Sequence, residues 1–263
     1  MLRDITIGQH YPTESVIHKL DPRTKLIGSL FMIIALFLIT PLWGYLVAFA
    51  FLTFVIFMSK VPLKFILKGL RPIMLFIIIA VSINIFLTPG ELVFPDFFLK
   101  ITYEGLNRAI MTFFRFTFLI ITSSMVTLTT SPMALTDGIE RLLDPLKKIK
   151  FPAHELAMMM TIALRFIPTL ITEADKIMKA QMARGADFES GNIFTRAKNM
   201  IPLLVPLFIS AFRRADELAM AMEARCYRGG EGRTRLNVLK YKTNDFFAIL
   251  VSGLYFVSVI VFM

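Results

Sequence analysis

The apolar positions of this chain fall in long unbroken runs, where a soluble fold would show alternating or one-faced patterns. Residues 26–58 carry no charge at all. Those 33 residues would make a helix of about 50 Å, too long for one crossing of a ~30 Å hydrocarbon core. Thr40-Pro41 splits the run, because proline within a helix removes a hydrogen bond and clashes with the preceding turn. Two spans joined by a tight hairpin are predicted. A third run covers 73–88 and ends at Pro89-Gly90; a fourth covers 106–130 and contains Arg108 and Arg115; a fifth covers 246–263. Between the last two, residues 132–245 are helical in pattern but regularly charged. Their apolar stretches, 156–171 and 201–212, are interrupted or flanked by Arg165, Pro168, Pro202 and Pro206. They read as amphipathic helices that graze the membrane, with no clean span among them.

The expected architecture is an all-α integral membrane protein. It has about five transmembrane helices and a cytoplasmic domain of long amphipathic helices. Residues 1–131 form an N-terminal membrane domain of four spans, 132–245 the cytoplasmic domain, and 246–263 the C-terminal span. Asp21-Pro22 marks a helix start, since Asp accepts from an orphan amide and Pro has none to leave unpaired. The segment 59–71 is basic, and its spacing places Lys60, Lys64 and Lys68 on one helix face beside Arg71. The loop after the third span carries Glu91, Asp96 and Glu104 against Lys100.

Charge sets the orientation. The formal net charge is +10, yet 18 of the 29 Lys and Arg lie in 132–245, with four in 1–25 and four in 59–71. These segments alternate with the spans as the positive-inside bias requires, so the N-terminus and the large insert are cytoplasmic and the C-terminus is outside. The basic balance therefore points to a bilayer and not to nucleic acid. Cys226, the one cysteine, excludes an internal disulfide and fits a reducing compartment. The N-terminus lacks the pattern of a cleaved signal, its first apolar run starting only near Leu26.

Within the insert, the segment 172–185 is echoed by 213–226. At a constant offset of 41 residues, five positions are identical: Ala174/Ala215, Asp175/Asp216, Ala180/Ala221, Ala183/Ala224 and Arg184/Arg225. A fixed-period echo signals a duplicated structural unit. Each copy reads as a charged helix ending in Ala-Arg, followed by Gly185 in one and Cys226 in the other. A single such end is what an ordinary C-cap looks like, with Arg favouring the helix dipole. Capping alone does not require the matching Ala-Asp upstream, whereas an exposed Arg on a rigid tip can bind a partner carboxylate bidentately. The two ends are candidate docking points. Ala211, Ala215 and Ala219 recur every four residues and suit a close helix crossing, or serve only as good helix formers. Spacing also allows the pairs Asp175–Lys179 and Arg213–Glu217 within each helix.

Sixteen methionines, among them Met158, Met159, Met160, Met178, Met182, Met220 and Met222, offer a surface that repacks against differing partners or fills a membrane core. Arg115, inside a span, is read as structurally paired or snorkelling before it is read as part of a transport path. His10, His18 and His154 lack metal-ligand spacing, and no metal site is read. There is no Gly-x-x-x-x-Gly-Lys-Ser/Thr loop and no hydrolase or zinc-protease motif. A chain with a membrane anchor, twin docking tips and no engine of its own needs a partner that supplies energy.

The paired ends Ala183-Arg184-Gly185 and Ala224-Arg225-Cys226, the stretch from Ser15 to Lys25 and the span layout resemble the T component of energy-coupling factor (ECF) transporters. The resemblance covers essentially the whole chain. It implies a non-catalytic scaffold in the plasma membrane of a prokaryote, part of an importer of vitamins or other micronutrients. Two coupling helices would seat their Arg tips in two ABC-type ATPase subunits, Arg184 in one and Arg225 in the other. A separate S component would bind the substrate and be tilted by the ATP-driven motion; several S components could share one scaffold. No cofactor belongs to this chain, ATP and Mg being bound by the partner ATPases. Cys226 departs from the family pattern, which has Gly there, while the Arg is kept. The rival readings are a self-contained secondary transporter or channel with Arg115 on its path, and a membrane enzyme, for which the chain offers no catalytic set.

Overall fold

The structure, a computed structural model, describes residues 10–92, 101–149, 151–188, 190, 192–229 and 239–261. Asp96 and Lys100 of the expected acidic loop lie outside the described residues. The described secondary structure is helical apart from one isolated antiparallel bridge, Leu92 to Thr102. The chain forms two compact units, one from Gly8–Arg141 with Asn237–Met263, the other built on Leu142–Leu236.

In the first unit α1 (Pro22–Leu38) begins as expected: Asp21 is its N-cap, accepting from the Arg23 amide, and Pro22 opens the first turn. It stops before Pro41, and α2 (Gly44–Ser59) follows across a tight turn. At 17 and 16 residues these helices reach only about 25 Å each, a little short of a ~30 Å core. Lys60 takes a left-handed C-cap, φ 56°, and so leaves the helix. Lys64 and Lys68 alone share the exposed face of α3 (Leu63–Leu70), a correction to the expected trio. Across Arg71-Pro72 the chain bends by 60° into α4 (Met74–Leu87). After α5 (Tyr103–Thr129) comes α6 (Pro132–Leu143), and α9 (Thr243–Val261) closes the chain.

α5 is the axis of this unit: α1, α2, α3 and α4 pack on it, and α9 packs on α1. Met32, Leu36, Tyr45, Leu52, Phe118 and Tyr255 form the main buried cluster. Much of the outer surface is apolar, with Phe57 82% and Leu46 70% exposed, as lipid-facing side chains are. Lipid is as apolar as leucine, so this core is held by close packing and internal hydrogen bonds more than by exclusion of water.

The second unit contains a short 3-10 turn, Asp144–Ile149, then α7 (Ala153–Ala183) and α8 (Ile193–Ala224). The expectation that no clean span lies here is corrected at α7. It is one continuous 31-residue helix whose apolar part is long enough to cross a membrane, as are α5 and α9; α3 with α4 makes a fourth if the bent pair is one span. Pro168 does not end α7. Charged residues are sparse in its first half, and that run, read through the proline, has the length the separate pieces lacked. The assignment as an all-α membrane protein stands.

Candidate functional site

Sequence analysis singled out Ala183, Arg184, Gly185, Ala224, Arg225 and Cys226, and the structure makes the two trios superposable in bonding pattern. Arg184 is the C-cap of α7 and Arg225 that of α8. Beyond α7, the Gly185 amide donates to the Met182 carbonyl and the Ala186 amide to Gln181, both at 3.0 Å. Beyond α8, the Cys226 amide donates to Glu223 at 2.8 Å and the Tyr227 amide to Met222 at 3.0 Å. These are two Schellman caps, register for register at the 41-residue offset. Gly185 sits at φ 90° and Cys226 at φ 56°, so the cysteine takes the left-handed role that glycine usually fills. That conformation costs an L-residue about 1–2 kcal/mol. Both caps turn the chain away sharply and leave the Arg184 and Arg225 side chains exposed, their guanidinium groups without a hydrogen bond or ion pair among the described residues.

The helices carrying the caps hold each other at three levels. In the middle, Arg214 Nη2 donates to Glu173 Oε2 at 2.7 Å, and Ser210 Oγ donates to Glu173 Oε1. Just past the end of α7, the Asp187 carbonyl accepts from Asn199 Nδ2, near the start of α8, at 2.6 Å. Just past the end of α8, the Tyr227 hydroxyl donates to Met158 Sδ at 3.0 Å and lies 3.5 Å from His154 Nε2, both near the start of α7. Start meets end at both extremes, so the pair runs antiparallel. Glu173 and Arg214 are themselves 41 positions apart, as are Met158 and Asn199. The duplicated sequence has thus become an approximate two-fold axis through the Glu173–Arg214 pair. From it roughly 16 Å of helix leads to each Arg tip, in opposite directions.

Ala211, Ala215 and Ala219 line a groove of ≈ 280 Å³ whose far wall is Ile162, Phe166 and Leu170 of α7. The alanine stripe is thus the floor for aromatic and branched side chains from the neighbouring helix. Where spacing suggested Asp175–Lys179 and Arg213–Glu217, the described residues instead form the interhelical pair between Glu173 and Arg214. Sequence reasoning missed Glu173, Asn199 and Tyr227; the 41-residue offset applied to every polar residue of the segment would have exposed Glu173 and Arg214.

The residues 13–236 match the family model described as CbiQ, cobalt transport protein. The chain belongs to that family. Among its relatives, one from Ruminiclostridium cellulolyticum is 58% identical over 254 residues, covering 97% of this chain and 94% of the relative. A second from Clostridium kluyveri is 58% identical over 252 residues, covering 95% and 93%. A third from Bacillus subtilis is 46% identical over 264 residues, covering 100% and 99%. All three are named energy-coupling factor transporter transmembrane protein EcfT. The matched region takes in both Arg tips and the helix start at Asp21-Pro22.

Arg115 lies within α5 of the membrane unit. Its Nε lies 3.1 Å from the Leu36 carbonyl and 3.2 Å from the Tyr45 hydroxyl, and its Nη2 lies 3.1 Å from the Ile39 carbonyl. The Phe37 ring centroid is 5.8 Å away. α1 has no basic residue in its own last turn, so α5 supplies the cation that its carbonyl end favours. The structural pairing expected for Arg115 is what the geometry shows.

Proposed function

We propose that this chain is the membrane scaffold subunit of an energy-coupling-factor importer. In this reading two ABC-type ATPase subunits seat on its Arg tips, Arg184 in one and Arg225 in the other. Their ATP-driven motion passes through the chain to a substrate-binding S component, which takes up a vitamin or other micronutrient. The observation that carries it is the pair of matching Schellman caps. They hold two unpartnered, exposed arginines at opposite ends of a pseudo-two-fold helix pair. A pair of similar ATPases related by a two-fold presents two equivalent grooves, and two equivalent tips answer them. A guanidinium held on a rigid cap binds a carboxylate bidentately with little side-chain order to lose. The absence of a phosphate-binding loop and the names of the relatives support an engine supplied in trans, with the chain itself non-catalytic. The positive-inside bias of the basic segments supports a cytoplasmic N-terminus in a prokaryotic cell, with the Arg tips on the same side as the ATPases.

The test is co-purification from membranes after co-expression with candidate energy-coupling-factor ATPases. Wild type retains them; Arg184→Glu with Arg225→Glu, inserted to the same level, loses them. Equal retention by the double variant would make the arginines helix caps only. The self-contained transporter loses its main support, since Arg115 is engaged by two carbonyls and a hydroxyl.

A further inference from the structure

The chain leaves the membrane unit after Arg141 and returns to it at Asn237, so every covalent path from the α7–α8 insert runs through those two crossings. Inside the membrane unit both crossings are fastened to one tripeptide, Asp21-Pro22-Arg23, at the start of α1. On the outgoing side, α6 lies against it at Gly138. A Cβ there would meet Pro22 Cβ at 2.8 Å, with the Arg23 amide nitrogen at 3.5 Å, so glycine is what lets the helix approach so closely. Pro22 is a rigid ring and cannot swing aside.

On the returning side the attachment is polar. The Asp245 carboxylate, 1% exposed, accepts the Asp21 amide on Oδ1 and the Lys242 amide on Oδ2, each at 2.7 Å. The second bond is half of a capping box, an acidic residue in the first turn of α9 reaching back to the residue before it. The first ties the same carboxylate to the start of α1. One side chain therefore fuses the N-termini of two helices. Arg23 completes the grip: its Nε and Nη2 donate to Asp21 at 3.0 and 2.9 Å, its Nη2 reaches the Leu239 carbonyl at 3.4 Å, and its guanidinium lies 4.0 Å over the Tyr241 ring.

A single capping carboxylate would serve α9 without a partner 224 residues away, and α1 already has its own N-cap in Asp21. The extra bonds have a different consequence. These contacts tie α6 and residues 239–242 to the first turn of α1, and through Asp245 to α9. We infer that Gly138, Asp21, Arg23 and Asp245 are positioning residues for energy coupling: they form the joint through which displacement of the 142–236 insert is delivered to α1 and α9. This rests on the coupling reading above.

The experiment uses the full complex of this chain with its ATPases in lipid nanodiscs. Hydrogen–deuterium exchange is followed by mass spectrometry, with and without ATP plus vanadate. In wild type, trapping alters exchange in α7–α8 and also in α1 and α9. Asp245→Ala and Gly138→Ala keep the α7–α8 response and ATP hydrolysis within about twofold. Their response in α1 and α9 falls by about threefold or more, the size expected when a coupling contact is cut. Arg23→Gln, which leaves the helix cap in place, shows the same split to a smaller degree. Wild-type responses in α1 and α9 in all three variants would overturn the inference. So would loss of the α7–α8 response and of ATPase retention together, which would make the cluster a folding element. If wild type itself retains no ATPase, the coupling reading falls and this joint with it.

Discussion

Replacing Arg115 by methionine removes the guanidinium but keeps most of the apolar stem. The Leu36 and Ile39 carbonyls and the Tyr45 hydroxyl each lose a donor at 3.1–3.2 Å. An orphaned buried polar group costs about 1–3 kcal/mol, so the two carbonyls alone amount to roughly 2–6 kcal/mol. Against this, a charge no longer has to be held within a span, a relief of about 2.5–3.5 kcal/mol on insertion scales. The midpoints, about 4 against about 3 kcal/mol, leave a net loss of about 1 kcal/mol, concentrated at the α1–α2 hairpin. For a chain of this size that lowers Tm by about 2–4 °C. The assay is thermal aggregation of the detergent-solubilised protein followed by size exclusion. Tyr45→Phe should cost about 1 kcal/mol alone and much less in the Arg115→Met background, because the two changes remove the same bond. A Tm within 1 °C of wild type for Arg115→Met, or strict additivity with Tyr45→Phe, would refute the clamp and return Arg115 to the transport path.

Gly185→Ala forces an L-residue to φ 90° although nothing lies within 4 Å of the new Cβ. Its cost of about 1–2 kcal/mol is therefore conformational, and it should fray the α7 tip and weaken ATPase retention. Cys226→Gly, by contrast, should keep retention and change stability by less than about 1 kcal/mol, since relief of the left-handed residue is offset by a more flexible unfolded chain. Glu173→Gln and Arg214→Met should each cost no more than about 1 kcal/mol, with a double-mutant coupling that shrinks in high salt, because the pair is only partly covered. The ring of His18 is held between Ser15 Oγ at 2.7 Å and the Tyr11 carbonyl at 3.1 Å; burial, then the Lys25 charge, pushes its pKa below the usual imidazole value, with His10 adding to the effect. A lowered folded-state value favours the neutral ring, so this stability is present above about pH 6.5 and is lost as pH falls through the folded-state value. His18→Gln should flatten the decline in Tm between about pH 7 and 5; an unchanged slope would show that His18 does not drive it.

The start of α1, the hairpin at Pro41 and the two Arg tips were legible because each rests on a local rule: proline geometry, an N-cap, a repeat. α7 was not, because Pro168 and Arg165 read as interruptions when each was weighed alone, whereas a 31-residue helix tolerates one proline when its neighbours hold it. Lys60 was misplaced by one turn, since the Ser59 to Val61 corner ends α2 in a left-handed residue that helical spacing does not reveal. Asp245 and Asp21 are joined across 224 positions, and no local pattern announces such a bond. The echo at 41 residues was seen as two matching ends; that it also places Glu173 against Arg214 on a two-fold axis emerged only when the helices were set side by side.

The central claim is that each tip seats one ATPase, and the chain's only cysteine allows a direct measurement. Cys226 is exposed and stands immediately after Arg225. A short thiol-to-amine cross-linker applied to the assembled complex should join it to one ATPase subunit. Moving the thiol to the other tip, at the exposed Ala183 with Ala183→Cys and Cys226→Ser, should transfer the cross-link to the second ATPase while leaving the Gly185 cap intact. Two tips, two different ATPase subunits captured, is the predicted result. Cross-links from both positions to the same subunit, or to none in a complex that still hydrolyses ATP, would contradict it.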